Sequence, residues 1–125
     1  MHDMNLVVLV GRVASEPKVR GFPSGAQVVE YTITSRVEEP RRRVDVIPVY
    51  LWVLEGDEEP WIPQVGDPIL AIGQVQRRFW ENKAGDRKQR VEIIAEEVSP
   101  VDPERAPARL IDVSAKLANG GDEEG

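Results

Sequence analysis

QVQRRFWENKAGDRKQRVEII, Gln74 to Ile94, reads as two strands joined by a tight polar turn, and its reading decides the fold. Gly85 in ENKAGD supplies the left-handed position that a hairpin loop needs. Followed back through PILAIG, the period-2 alternation sets Gln74, Gln76, Arg78 and Trp80 on one face. It sets Ile69, Ala71, Val75 and Phe79 on the other, which is expected to face a core. The hairpin gathers six cations (Arg77, Arg78, Lys83, Arg87, Lys88, Arg90) beside two adjacent aromatics, although the 125-residue chain has a formal charge of −6. That total divides unevenly. Residues 1–95 hold 13 basic against 14 acidic side chains, and residues 96–125 hold 3 against 8. Screening limits the reach of distant charge to roughly 8–10 Å, so the acidic end does not cancel a basic patch elsewhere.

Working outward, the rest of residues 1–99 also reads as strands. NLVVLVGRVA (5–14) is an apolar, β-branched run ended by SEPK, and FPSGAQ is a turn. VVEYTITSR puts Val29, Tyr31 and Ile33 on one face. After the polar connection VEEPRRR, VDVIPVYLWVL (44–54) forms a third strand. Pro48 inside it has no N–H for a ladder, so it is expected at an edge or a bulge. EGDEEPWIPQVGD (55–67) has room for a short helical turn between the third and fourth strands, stopped by Pro63. Five strands with one small excursion predict an all-β, closed or nearly closed barrel. Residues 100–125 read as an extension: a Pro-containing linker, a short helix over 107–118 and an acidic flexible tail. This gives one domain over residues 1–99 with an appendage over 100–125.

Several function classes are poorly served. There is no cysteine, and the single histidine, His2, stands at the N-terminus. His-based catalysis, thiolate chemistry and a metal site are therefore not expected, and neither is a cofactor. No Walker or Rossmann glycine pattern is present. No stretch is long and apolar enough for a membrane-spanning helix, which suggests a cytoplasmic, nucleoid-associated protein.

Binding is better supported. Trp80 beside Arg78 makes a flat platform on which a base can stack, worth about 1–3 kcal/mol per base. Trp52 shares its parity with Tyr50 and makes a second platform, although in an apolar strand it reads equally well as core. Trp61, between two prolines, reads as a plug over the barrel bottom. Phosphates would be met by Arg12, Arg20, Arg36, Arg43, Arg78, Lys83, Arg87 and Lys88, each contact releasing counterions.

MNLVVLVGRVASEPKVRGFPSGAQVVEYTI and GDPILAIGQVQRRFWENKAGDRKQRVEIIAEEV, in that order and spacing, resemble the bacterial single-stranded DNA-binding protein family. The resemblance implies a five-stranded Greek-key OB barrel, a groove for single-stranded DNA, a homodimer or homotetramer, and contacts with replication or repair proteins. It matches Trp80 to a base-stacking tryptophan, Trp52 to the aromatic that closes the third strand, and Arg20 to the Arg of a Pro-x-Val-Arg motif. Departures are equally specific. Glu38, Glu39 and Val46 stand where the family has aromatics, and VEEPRRR is shorter than its long hairpin. GGDEEG keeps the acid of the family's tip but lacks its Pro-Phe anchor. Two rivals follow: a dimeric relative resembling primosomal replication protein, bridging single strands and replication proteins, and an OB-fold protein-interaction subunit without nucleic-acid binding.

Overall fold

A computed structural model describes residues 3–102 and 104. The expected roles of His2 and of residues 107–125 lie outside the described residues. Six strands are present: β1 Val7–Val13, β2 Lys18–Gly21, β3 Gln27–Val37, β4 Arg43–Val53, β5 Pro68–Glu81 and β6 Arg87–Pro100. They pair in the order β1-β5-β6-β4-β3-β2, and an additional β1–β3 pairing closes five of them into a ring. Only β4–β6 is parallel. β3 makes this closure possible. One of its edges lies along β4 for its whole length, while the other is shared between β2 at Gln27–Glu30 and β1 at Ile33–Thr34. This is the expected barrel, with one strand more than the sequence reading gave.

The barrel closes around one apolar set drawn from all five ring strands: Leu9 and Val13, Val29, Tyr31 and Ile33, Val49, Ile69 and Ala71, Ile93 and Ala95. β4 is neither an edge strand nor bulged at Pro48, because it lies between β3 and β6, but its β6 side is unpaired at that position. The Ala14 N–H donates to the Thr32 carbonyl, so Thr32 turns its polar groups away from its β4 partner Pro48. The Pro48 nitrogen consequently faces the β6 side, where pairing starts only at Val49, and no ladder bond is lost.

The excursion between β4 and β5 departs from expectation. Among the described residues there is no helix, so the short helical turn is absent. Pro60 and Pro63 withhold two N–H donors and bias Glu59 and Ile62 toward extended backbone. Two turns, each closed by an aspartate side chain, take up the polar groups instead. Asp57 accepts from the Leu54 N–H at 2.8 Å, and Asp67 accepts from the Gln64 N–H at 2.9 Å. The segment docks through Trp61, which packs against the core and whose carbonyl accepts from the Tyr31 hydroxyl at 2.9 Å. Trp61 thus plugs the barrel, as its setting between prolines predicted. Burial pushes the Tyr31 hydroxyl up to about 12.

The β5–β6 hairpin has two halves. A bulge interrupts the pairing, where Ile72 pairs with Glu97 but Gly73 with Ala95, and the barrel wall continues past it on β6 to buried Ile93 and Glu92 before the hairpin projects. The strands cross closely at the bulge. A Cβ on Gly73 would lie 2.0 Å from the Ile94 carbonyl oxygen. Beyond the bulge, Val75 and Phe79 are 39% and 53% exposed, so their assignment to the core face is wrong. They keep the core parity, but the hairpin has outrun the barrel wall. Gly85 does take a positive φ, of 85°, in the turn.

Candidate nucleic-acid interface

Antiparallel register and the short parallel pairing align one outward-facing row across five strands: Lys18, Glu30, Tyr50, Ile94 and Gln74. A second row runs beside it through Arg20, Val28 and Trp52. On the hairpin, Gln76 faces Glu92, Arg78 faces Arg90 and Trp80 faces Lys88 on this same side. All of these residues except Gln74, Trp80 and Lys88 line an open groove of about 530 Å³, with Lys18 and Arg20 on one bank and Gln76, Arg78 and Arg90 on the other. Trp80 and Lys88 lie beyond it on the hairpin.

Flat rings form its floor. Trp52, 49% exposed, stacks on Phe22 with centroids 5.3 Å apart and planes at 28°, and the Arg20 guanidinium lies 4.9 Å over Phe22. Phe22 is placed by the β2–β3 turn, whose ends are tied by its N–H donating to the Ala26 carbonyl at 2.9 Å. Toward the hairpin, Arg90 lies 5.8 Å over Tyr50 and 5.8 Å over Trp80, which is 40% exposed. Arg90 also donates to the Tyr50 hydroxyl, and that hydroxyl donates to Glu30 at 3.3 Å. Burial and the Glu30 charge push the Tyr50 hydroxyl above its ordinary range, with Arg90 pulling the other way.

Glu92 is the one buried charged side chain among the described residues, at 3% exposure. Its Oε1 accepts from Gln76 at 3.3 Å, and its Oε2 accepts no hydrogen bond but lies 3.5 Å from the Arg90 Nε. Among the described residues no group of three or more His, Cys, Asp or Glu is arranged to hold a metal.

The groove gathers Trp52, Arg20 and Arg78 of the residues expected from sequence, and Arg90 joins it to Trp80, opposite Lys88. Lys83 lies exposed in the hairpin turn, and Arg87 covers Phe79 at 5.5 Å. Three others lie elsewhere. Arg12 and Arg36 line a separate depression with Thr34, where Arg12 donates to the Gly66 carbonyl at 3.0 Å. Arg43 pairs with Asp45 at 3.0 Å. The sequence reading left out Phe22, Lys18, Arg90, Gln76, Glu30 and Glu92 as site residues, and it used Tyr50 only as a parity marker. Tyr50 and Arg90 were findable from parity with Trp52 and Arg78. Phe22 and Lys18 carried no such signal.

Comparison with known proteins agrees with this architecture. The model of the Single-strand binding protein family matches residues 4–101. Single-stranded DNA-binding protein 3 of Clostridium acetobutylicum is 30% identical over 99 residues, covering 76% of this chain and 69% of its own length. Single-stranded DNA-binding protein A of Bacillus subtilis is 31% identical over 104 residues, covering 80% of this chain. Its matched part is 60% of its own length. Among solved structures, a Plasmodium falciparum SSB complex with ssDNA superposes with a TM-score of 0.66 at 16% identity, covering 82% of this chain and 98% of that one, which establishes the shared fold. With its closed OB barrel and a family match across nearly all of the described residues, the chain belongs to the single-strand binding protein family.

Proposed function

We propose that this protein binds single-stranded DNA with little sequence preference, as a non-catalytic partner in replication, recombination and repair in the cytoplasm, at the nucleoid. One observation carries the reading: rings and cations are interleaved on one side of the barrel. Trp52 and Tyr50 line an open groove with Lys18, Arg20 and Arg78, Phe22 stacks on Trp52, and Arg90 links the groove to Trp80, which faces Lys88 on the hairpin. Stacking on a ring is sequence-tolerant because every base has a π-face. The banks supply the phosphate contacts, and Lys83 and Lys88 extend them along the hairpin, while Arg87 lies on the opposite face over Phe79, outside the groove. Arg12, Arg36 and Arg43 are assigned to a longer strand that has left the groove, because Arg36 is six residues beyond Glu30 on β3, roughly 20 Å away.

The protein acts as a homodimer or homotetramer in this reading. The back of the hairpin exposes Val75, Phe79 and Val91, and Asn5 clasps the Val75 backbone through two hydrogen bonds, bringing exposed Met4 and Leu6 alongside. An apolar surface of this kind is suited to a second copy of the chain. Tryptophan fluorescence titrated with oligo(dT) at low and high salt tests the function. Quenching that weakens with salt is expected; no quenching at low salt refutes it and leaves the barrel as a protein-interaction subunit. Light scattering separates dimer from tetramer.

A further inference from the structure

We propose that Arg90 occupies the base-stacking position of the free protein as an internal competitor, and that Glu92 is the positioning residue that holds it there. The inference rests on the groove being the single-strand site. The Arg90 guanidinium lies 5.8 Å from the ring centroids of both Tyr50 and Trp80, so a flat cationic group already occupies the space beside the ring faces that a base would use. It is held by the Tyr50 hydroxyl and by the Glu92 carboxylate, 3.5 Å from its Nε. Glu92 is fixed in turn by Gln76 and by burial, so the clamp is anchored in the wall rather than in solvent.

The clamped group itself remains 41% exposed. A base and a guanidinium cannot share one ring face. A base that enters must move Arg90 aside, and the freed cation exchanges the Glu92 carboxylate for a phosphate of the incoming strand. Charge is conserved in that exchange, which leaves the carboxylate uncompensated in the floor and opposes binding. The groove therefore rejects isolated bases and nucleosides and yields to a strand that brings phosphate and base together.

The decisive variant is Arg90→Ala with Glu92→Gln, which removes one charge of each sign and leaves the floor neutral. Oligo(dT) affinity is measured by fluorescence from low to high salt. The slope of log K against log[salt] is expected to fall by about 0.7, the loss of one single-strand phosphate contact. At high salt the variant should bind about three- to tenfold more tightly than the parent, because exposed cation–ring contacts no longer compete. The two salt curves then cross. Weaker binding of the variant at every salt concentration, or curves that coincide, overturns the proposal.

Arg90→Lys is a second variant that keeps the charge and the fold. An ammonium cannot cover two rings, so it should bind more tightly than the parent at high salt with the parent's slope. Parent-like or weaker affinity there also counts against the competitor role. Arg78→Ala, the neighbouring cation, should lower the slope and weaken binding throughout. Failure of the underlying functional reading is a different result: the parent itself shows no titration at any salt.

Discussion

Trp52→Ala separates binding from folding at one side chain. Trp52 is half exposed and rests on Phe22 alone among the rings of the described residues, so its removal costs one aromatic pair and half of a side chain's burial. At about 0.5–1.5 kcal/mol for the pair and a comparable amount for the area, the fold should lose roughly 1–3 kcal/mol. Such a loss leaves a typical domain almost wholly folded at room temperature. The groove loses more in proportion. One base platform is worth about 1–3 kcal/mol, a factor of roughly 5 to 150 in Kd. Trp52→Phe keeps a ring there and should recover most of it. Urea denaturation gives the first quantity and an oligo(dT) titration, followed through Trp80, gives the second. The contrast with the core is Ile33→Val, at a fully buried position: about 0.5–1.5 kcal/mol of stability and no change in affinity. If Trp52→Ala titrates like the parent, Trp52 is a lid on the β2–β3 turn and the stacking argument fails.

Tyr31→Phe deletes the hydrogen bond to the Trp61 carbonyl and should cost about 1–2 kcal/mol in urea denaturation without touching DNA affinity. The Tyr31 hydroxyl, raised from 10 to about 12, stays protonated in the fold after the unfolded chain has lost its proton. Its contribution is therefore complete below pH 10 and falls by roughly 2–3 kcal/mol between pH 10 and 12, a slope that Tyr31→Phe should flatten in thermal melts. Gly73→Ala would drive a Cβ into the Ile94 carbonyl and Ala95 Cα at the bulge; a loss of at least about 1–3 kcal/mol is expected, and a parent-like melting temperature would show that the crossing is not tight. Val46→Trp places an indole at a well-exposed position on the same face of β4 as Tyr50 and Trp52. It should tighten binding of oligonucleotides near the upper end of the ~4–16 nucleotide range of one OB fold and leave the shortest unaffected; equal gains at all lengths would indicate mere stickiness.

Much of the barrel was legible because one physical signal sets it. Alternation in VVEYTITSR places Val29, Tyr31 and Ile33 inside, and all three are fully buried. β2 was missed for the converse reason. KVRG is exposed at every position and is a strand only because β3 has a free edge beside it. Parity also misled at Val75 and Phe79. It tells which face a residue is on, but not how far along a strand the opposite wall extends. The cations show the same limit. Arg12, Arg20, Arg36 and Arg78 are equivalent as exposed strand arginines, and only the order β2-β3-β4-β6-β5 sorts two of them into the groove. Glu92 left a readable trace, a carboxylate on the Arg90 side of an apolar strand. Its burial depends on Gln76 and Arg90, which its register on the β5–β6 hairpin places beside it.

The placement of charge within the groove bears on which kind of DNA it can take. Lys18, Arg20, Arg78 and Arg90 are set against Glu30 and Glu92, so the groove is cationic although residues 1–95 are almost neutral. The signs are sorted by depth as well as by number. Glu92 is buried in the floor and Glu30 is half-buried beside Tyr50, while Lys18, Arg20 and Arg78 stand exposed on the banks. A phosphate pressed to the floor would meet carboxylates in a partly desolvated setting, where repulsion is stronger than in water. A base there meets flat rings and hydrogen-bond acceptors. On the proposed reading the strand is therefore forced to lie with bases inward and phosphates outward. A duplex holds its bases paired within and turns phosphates to every side, so it can use the banks but not the floor. Preference for single strands then follows from the depth of two glutamates as much as from the rings beside them.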